Sequence, residues 1–374
     1  MEYTRSFSEL RSLFNPEASY TEVSWSGVRI HNLEFRSNCT GDIFVSNRDK
    51  EIRENSCFTY PVFEPLRPSK KVILLLHGLN ERSWVKYLPW GHWLAENTNS
   101  YVIMFPISFH INRSPEAWRD PRTMVPCVQN RNTELGATEM LSFANVALSN
   151  RLTEDPMRFF VSGQQTVSDL ISLLNTIRNG NHEIVPEKAN PDIFAYSIGA
   201  FLAEILMLAN PENLFTESRL FMFCGGSVFS NMNGTSKLIM DSYAFQRVYD
   251  FYLNNFEENI ETKNRISEYI KSTSLGMAFR SMIDLGRLRN FREQLFRKLK
   301  DQLQCTALLK DTVIPLRGTL DTLAETSRKD IVKIHDFPFL YSHENPFPVF
   351  RDNNYHNVDR CFDMVFNEAR LFFE

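Results

Sequence analysis

Apolar residues along the chain fall into short continuous runs, separated by segments in which they recur at helical spacing. Segment 167–180 has this spacing and ends at Gly180, and residues 357–374 close the chain as a helix. Strands that are apolar throughout and separated by helices indicate a mostly parallel sheet covered by helices on both faces. The predicted strands are residues 71–76, a run from Ser100, residues 193–196, a run from Ser218, residues 305–311 and residues 330–337.

The pattern also predicts how the chain is divided. Residues 1–65 hold short strand-like pieces, which we expect to form an extension packed on the core, and residues 66–374 form one α/β domain. Two ordinary domains are the alternative. Residues 231–303 are far longer than the usual two to six residues of an α/β loop, so they predict an inserted helical cap. Its aromatic stripe either faces the site or packs the cap helices together; the stripe consists of Phe245, Tyr249, Tyr252 and Phe256.

The stretch "DIFAYSIGAFLAEIL" places Ser197 where a strand turns sharply into a helix. In such a turn the residues two positions away must be small, so that helix and strand can approach, and here they are Ala195 and Gly199. A second Ser-x-Gly, at Ser274, lies among helical residues with no strand before it. We therefore predict Ser197 as a nucleophile, with an ordinary turn serine as the alternative.

The order of these parts resembles the α/β-hydrolase superfamily, specifically its esterase- or lipase-like bacterial members, over about residues 65–374. The resemblance implies the α/β-hydrolase fold and a triad in the order Ser, acid, His, with neither cofactor nor metal. The sequence departs from the family at Ala195, where glycine is usual, and at Lys310, where the approach to the acid usually contains glycine. The carrying motifs are "HGL" at 77–79, "AYSIG" at 195–199, "KDTVIP" at 310–315 and "YSHENPFP" at 341–348.

Two further residues are predicted to complete the triad. Asp311 follows an apolar strand directly and precedes a proline that can open a helix, so its carboxylate should emerge at the carboxyl edge of the sheet. His343 follows the last strand in a loop rich in proline and aromatic residues. Asp321, at helical spacing in "GTLDTLAETSRK", and His356, just before the closing helix, are the alternatives.

By resemblance, the oxyanion donors are the backbone amides of Leu79 and Ile198. We also expect substrate-binding residues at the carboxyl ends of the strands. Arg113 either anchors a polar substrate group or belongs to a structural ion pair. Four tryptophans either line an acyl pocket or pack helices, and the basic cluster at 287–300 is interpreted as a solvated helix face. The candidate substrate-binding residues are His77, Gly78, Asn80, Tyr196 and Arg113, and the tryptophans are Trp84, Trp90, Trp93 and Trp118.

Composition narrows the function classes. The chain has 374 residues, 43% of them apolar, and a net charge of −4, which offers no electrostatic attraction for nucleic acid. No apolar run is long enough to span a bilayer, so a cytoplasmic location is expected. The six cysteines are scattered, with no metal-ligand spacing, and Cys224 and Cys305 are expected to be buried thiols.

The leading hypothesis is a serine ester hydrolase that acts on a small-molecule ester or acyl substrate and forms an acyl-enzyme. A binding protein that keeps the fold without catalysis, and an amidase or peptidase with the same triad, are the alternatives. The acyl group, the leaving group and the oligomeric state are left open.

Overall fold

The computed structural model describes residues 2–37, 46–261, 264–323, 331–349 and 355–374. Within these ranges the strands are β1 Tyr20–Val23, β2 Val28–Arg36, β3 Cys57–Glu64, β4 Lys71–Leu76, β5 Tyr101–Met104, β6 Asn190–Tyr196, β7 Leu220–Phe223, β8 Leu303–Leu308 and β9 Val332–His335. The α-helices are α1 Tyr3–Leu13, α2 Asn47–Lys50, α3 Arg53–Ser56, α4 Leu88–Thr98, α5 Pro121–Leu135, α6 Val146–Glu154, α7 Met157–Arg178, α8 Ile198–Ala209, α9 Ser242–Asp250, α10 Phe256–Ile260, α11 Arg265–Ser272, α12 Ser274–Ser281, α13 Arg289–Leu299, α14 Leu316–Leu323 and α15 Tyr355–Phe373.

All nine strands belong to one sheet, in the order β1-β2-β3-β5-β4-β6-β7-β8-β9. The pairs from β1 to β5 by way of β2 and β3 are antiparallel, and every pair from β5 to β9 is parallel. This confirms the predicted mostly parallel sheet. The carboxyl ends of β4, β6, β7 and β8 therefore meet at one edge, which is where open α/β sheets bind ligands.

Helices cover both faces of the sheet, as predicted. Along β4, Leu74 and Leu76 point into the core on one face, beneath α7 and α8. Ile73 and Leu75 point into the core on the other face, which α1, α4 and α15 cover. Because both faces are buried, the central strands contain few polar residues, and this produced the continuous apolar runs.

The N-terminal residues form a helix as well as strands. We predicted only strand-like pieces there, but Tyr3–Leu13 is α1. The helix packs on α15, where the ring of Tyr3 stacks on Phe362 at 4.2 Å between centroids. The Asp359 carboxylate accepts from the Thr4 backbone N–H at 2.7 Å. The extension is thus bound to the last helix, while its strands continue the main sheet.

Two excursions from the core meet above the carboxyl edge. The first follows β5 and contains α5 and α6, which the sequence analysis did not separate from the core. The second leaves the carboxyl end of β7 and contains α9 to α13, in the region predicted to be a helical cap. Arg131 and Asp241 join them in a buried ion pair, with Nε and Oδ2 2.6 Å apart. The predicted boundaries at 65, 231 and 303 remain predictions.

One side chain of the predicted basic face differs from its expected surroundings, whereas two buried cysteines do not. Arg292, in the basic segment interpreted as a solvated face, is buried and donates to the carbonyls of Ser281, Asp284 and Leu285 at 2.6–2.9 Å. Cys224 and Cys305 are buried and free, as predicted, whereas Cys39 lies outside the described residues. None of the described helices combines the length and apolar character that crossing a membrane requires.

Candidate active site

Ser197 occupies a strained turn between β6 and α8. Its backbone has φ 59° and ψ −124°, a conformation that residues with a side chain rarely adopt. Gly199 lets the helix approach β4, because a Cβ there would lie 2.6 Å from the Leu76 carbonyl oxygen and 2.7 Å from that of His77. Ala195 is fully buried and fits, although glycine is usual at its position. The turn holds the Ser197 hydroxyl at the carboxyl edge of the sheet.

The structure brings Ser197, His343 and Asp311 together. Ser197 Oγ is 2.7 Å from His343 Nε2, and His343 Nδ1 is 2.7 Å from Asp311 Oδ2. Since the carboxylate accepts the Nδ1 hydrogen, Nε2 can accept from the serine hydroxyl. The backbone N–H groups of Val313 and Ile314 both donate to Asp311 Oδ1 at 2.9 Å and fix the carboxylate. All three triad side chains are buried.

The two alternatives lie elsewhere. Asp321 is exposed on α14 and pairs with Arg317 at 3.3 Å. His356 is exposed in the first turn of α15. Neither side chain contacts Ser197, so the geometry favours Asp311 and His343 as the triad partners.

Tyr196 supports the loop that carries His343. Its hydroxyl donates to the His343 carbonyl, and its ring stacks on the imidazole at 5.5 Å between centroids. Lys86 lies over the Tyr196 ring, pairs with Glu81 and donates to the Glu344 carbonyl at 3.2 Å. Tyr196 was predicted as substrate-binding, but its hydroxyl is used within the protein. Lys86 was missed because nothing in its local sequence distinguishes it from an ordinary surface lysine.

Two backbone amides near Ser197, those of Leu79 in the "HGL" loop and of Ile198 at the start of α8, are candidate oxyanion donors. Among the described residues, neither the Leu79 nor the Ile198 amide donates to a protein acceptor. Gly78 N–H donates to the Tyr87 hydroxyl at 3.0 Å, and that hydroxyl donates to Glu81 Oε1 at 2.7 Å. These two hydrogen bonds fix the backbone of the loop. Gly78 also leaves room for the Tyr196 ring, which would lie 3.1 Å from a Cβ.

His77 orders the same loop and offers no nitrogen to a substrate. Its Nδ1 donates to the Gly78 carbonyl at 2.8 Å, and its Nε2 accepts from the Ile107 N–H at 2.9 Å. Burial lowers the pKa of His77 well below its ordinary value, which keeps the ring neutral. We therefore correct the substrate-binding prediction for His77 to a positioning role.

Of the two roles considered for Arg113, the structure favours the structural ion pair over the anchoring of a substrate group. It is fully buried, and its Nη2 lies 2.8 Å from Asp169 Oδ2. The guanidinium also donates to the carbonyls of Pro106 and Asn55, at 3.1 and 3.2 Å. Asn80 does line a cavity at the site, but its Nδ2 donates to carbonyls of both excursions, those of Ala144 at 2.9 Å and Leu238 at 2.7 Å.

Ser197 lies in the walls of two cavities. The first, which we call the polar cavity, has a wall that includes Ser197, His343 and Glu344. The second is the near apolar cavity. It combines Ser197 with side chains of the second excursion, which are Met232, Ile239, Met240, Phe245 and Val248.

A third cavity, the long apolar cavity, lies between α7, α8 and α12. It shares Leu79, Phe159 and Ile198 with the near apolar cavity, so it adjoins the two residues predicted to supply the oxyanion donors.

The aromatic side chains divide between cavity and core. Phe245 lines the near apolar cavity, whereas Tyr252 and Phe256 pack on one another and on Phe279. Trp90, a residue of α4, is fully buried in the core and packs on Phe366 of α15. Trp84, Trp93 and Trp118 also lie outside the walls of the three cavities, so the described geometry favours packing over an acyl-pocket role for all four tryptophans. In the described part of the chain, no three His, Cys, Asp or Glu side chains cluster as metal ligands would.

The parallel sheet, the strained serine turn and the chain order Ser197, Asp311, His343 define an α/β-hydrolase fold. The chain belongs to DUF6051, a family of unknown function whose model matches residues 1–374. It matches no curated protein.

Similar solved structures include three that cover most of the chain. A hyperthermophilic esterase from the archaeon Pyrobaculum calidifontis has a TM-score of 0.46 at 10% identity, and the match covers 98% of this chain and 90% of the esterase chain. Carboxyl esterase 2 from the fungus Tuber melanosporum has a TM-score of 0.47 at 9% identity and covers 96% and 88%. An S-formylglutathione hydrolase from Agrobacterium tumefaciens has a TM-score of 0.44 at 12% identity and covers 93% and 95%.

Proposed function

We propose that this protein is a serine hydrolase that cleaves carboxylic esters through an acyl-enzyme. The observation that carries the proposal is the chain of two 2.7 Å hydrogen bonds from Ser197 through His343 to Asp311. A serine hydroxyl is a poor nucleophile at neutral pH and needs an adjacent base, which needs a carboxylate to orient it. This arrangement supplies both and requires no cofactor.

In the acylation step, His343 Nε2 takes the proton from Ser197 as Oγ bonds to the substrate carbonyl carbon. The carbonyl oxygen becomes negatively charged and accepts hydrogen bonds from the Leu79 and Ile198 amides, each worth about 3 kcal/mol in the transition state. Asp311 stabilises the imidazolium that forms. His343 then gives its proton to the alcohol oxygen as the ester bond breaks, and water activated by the same histidine releases the acid.

This proton transfer indicates which cavity would hold the leaving alcohol and which would hold the acyl group of the substrate. The leaving alcohol must lie within hydrogen-bond reach of His343, and His343 lines the polar cavity. The acyl group therefore extends toward the apolar cavities, whose walls include the oxyanion residues Leu79 and Ile198. In this proposal the second excursion acts as a lid, because Ile239 and Phe245 cover the serine and exclude water.

Covalent labelling and an ester panel test the proposal. The wild-type protein should react with a fluorophosphonate probe and hydrolyse p-nitrophenyl esters, and Ser197→Ala should lose both activities. Ser274→Ala is the matched control, because it removes the serine of the second Ser-x-Gly sequence, on the exposed start of α12, and should change neither.

Absence of labelling in folded wild-type protein would favour the binding-protein alternative. Faster turnover of p-nitroanilides than of the matching esters would favour the amidase alternative. Ester hydrolysis that survives Ser197→Ala unchanged would exclude the mechanism.

A further inference from the structure

His110 carries an unpartnered hydrogen-bond acceptor, and its side chain forms part of the wall of the long apolar cavity. The side chain is 5% exposed and forms part of a wall that is otherwise built mainly from carbon. Among the described residues, no donor reaches its Nε2. Buried polar atoms are almost always paired in native proteins, so an orphaned nitrogen beside a cavity indicates a partner that enters from outside.

The protonation state of His110 follows from its other nitrogen. Nδ1 lies 2.8 Å from the Ser108 carbonyl oxygen, which can only accept, so Nδ1 carries the hydrogen. Burial lowers the pKa of His110 to about 4, and the nearby charges of Arg151 and Arg113 act in the same direction. At neutral pH the ring is therefore uncharged, and Nε2 presents a lone pair.

The backbone around His110 is strained on both sides. Phe109 has φ 65° and Ile111 has φ 50°, and a β-branched residue rarely adopts a positive φ. Asn55 Oδ1 accepts from the Phe109 N–H at 3.1 Å, and Arg113 ties the end of the loop to the Pro106 carbonyl at 3.1 Å. Such strain persists only where the surroundings enforce it, and it concentrates at functional sites.

The other polar groups of the cavity already have partners. Arg151 and Arg158 are paired with Asp49, at 2.7 and 2.9 Å, and Arg158 is also paired with Glu154 at 2.5 Å, so two carboxylates compensate the two charges without a ligand carboxylate. Ser162 Oγ donates to the Ser108 carbonyl at 2.9 Å, and Gln164 Oε1 accepts from a tyrosine hydroxyl at 2.8 Å. Among the described residues of the wall, His110 Nε2 is the buried side-chain acceptor without a hydrogen-bond partner, and it can accept from a neutral donor.

We propose that the acyl chain of the substrate carries a hydroxyl group, which donates to His110 Nε2 in the long apolar cavity. This inference rests on the proposed ester hydrolysis. The cavity follows α8 from Ile198 to Ile205, about 10 Å at 1.5 Å per residue, so it suits a chain of medium length. An unsubstituted chain fills the same space but leaves the buried acceptor unpaired, which is the basis for discrimination.

The experiment compares p-nitrophenyl octanoate with its analogues that carry a hydroxyl in the middle or at the end of the chain. In the wild type, kcat/KM for at least one hydroxylated ester should exceed that for octanoate by about tenfold or more. His110→Phe should abolish this ratio. His92→Phe is the matched control, because His92 is also buried but lies on α4, bonded to Ser26 Oγ at 2.8 Å, and it should keep the ratio.

Hydrolysis of all the esters without a preference for a hydroxyl would overturn the inference and leave the proposed function standing. A preference that persists in His110→Phe would also overturn it. If His110→Phe does not fold, the wild-type ratio of kcat/KM for the hydroxylated ester to that for octanoate tests the inference by itself. If no ester is cleaved, the proposed function fails, and calorimetric Kd values for methyl octanoate and its ω-hydroxy analogue decide the site. Tighter binding of the hydroxylated ester by wild type but not by His110→Phe supports the acceptor role, and equal binding contradicts it.

Discussion

The ammonium group of Lys86 lies 4.6 Å from the centre of the Tyr196 ring, next to the candidate nucleophile in the chain. The same ammonium pairs with Glu81, close to the "HGL" loop, and donates to the Glu344 carbonyl, one residue after His343. One cation therefore connects the end of the strand before Ser197, the segment that follows the "HGL" loop and the loop that carries His343.

Tyr196→Phe tests this connection. Loss of the hydroxyl that donates to the His343 carbonyl should lower kcat about tenfold and leave KM nearly unchanged, since the change misplaces the base without touching substrate. Lys86→Met should lower kcat by a similar factor. In the double variant, kcat should fall by less than the product of the two single factors. Tyr60→Phe, which removes a buried hydroxyl bonded to His182 at 3.0 Å, is the control and should keep kcat. An unchanged kcat in Tyr196→Phe would contradict the positioning role.

Variants of the triad should separate the two candidate acids and the two candidate bases. Because Asp311 fixes the imidazole, Asp311→Asn should lower kcat by about four orders of magnitude, and His343→Ala should cost at least as much. Asp321→Asn and His356→Ala should retain turnover, since both side chains are exposed and away from Ser197. Steady-state kinetics on one p-nitrophenyl ester measures all four. Collapse in His356→Ala with normal turnover in His343→Ala would reverse the assignment.

Gly199→Ala should destabilise the fold at the nucleophile turn. The new Cβ would meet the backbone oxygens of Leu76 and His77 at 2.6–2.7 Å, and neither backbone can move without disturbing β4. We expect a loss of about 3 kcal/mol or more in the free energy of unfolding, measured with denaturant. Gly163→Ala, in α7, is the matched control: the new Cβ would have its nearest neighbour outside the helix backbone, Leu202 Cδ1 of α8, at 3.9 Å, so alanine should stabilise the protein by up to about 1 kcal/mol. Equal effects at the two glycines would contradict the close approach of α8.

Glu204 should make stability fall as pH rises. Both of its carboxylate oxygens are buried and have no hydrogen-bond partner in the described part of the chain, and burial raises its pKa well above the ordinary value, although Arg292 opposes the shift. Folded protein then holds a proton that unfolded protein releases near pH 4.5, so each pH unit above that value costs about 1.4 kcal/mol until the folded pKa is reached. Glu204→Gln should therefore gain more stability at pH 8 than at pH 5 in denaturant titrations.

Glu368 provides the opposite case for that measurement. Burial acts to raise its pKa, but hydrogen bonds from His335 and Thr306 outweigh this and lower it. The ionised Glu368 therefore contributes stability above its pKa in the unfolded protein. This stability is lost as the pH falls through its pKa in the folded protein. Glu368→Gln should therefore lose stability at pH 7. A gain in Glu368→Gln, or a pH-independent effect in Glu204→Gln, would contradict these assignments.

The buried Arg131–Asp241 pair should hold the two excursions together. Arg131→Met leaves the Asp241 carboxylate buried and unpaired, so it should cost about 3 kcal/mol and increase hydrogen exchange in α6 and α9. Asp241 also caps α9 by accepting from the Ala244 N–H at 2.8 Å, a role that asparagine retains. The double variant Arg131→Met with Asp241→Asn should thus be more stable than Arg131→Met alone. A double variant that is less stable than the single one would show that the charge pair is not the source of the effect.

The sequence by itself determined the parts that depend on local pattern and chain order. Ser197 was found because an apolar strand, a turn with small neighbours and a helix follow one another within a few residues. The strands before Asp311 and His343 indicated the carboxyl edge of the sheet, and the order of the three residues completed the prediction. Both faces of the sheet are buried, which explains why its strands could be recognised as uninterrupted apolar runs.

Only the tertiary structure decided which polar residues are available to a substrate. Arg113 and His110 lie in one loop, and the sequence singled out the arginine for its charge. The Arg113 guanidinium is hydrogen-bonded to Asp169 and Asn55, which are 56 and 58 residues away in the chain. His110 Nε2 has no such partner among the described residues. The exposure of a side chain and the pairing of its atoms depend on contacts between distant segments. Residue type and spacing do not contain that information, so the hydrogen-bond partners of His77 and Arg113, and the unpaired Nε2 of His110, became visible only when the loops were packed together.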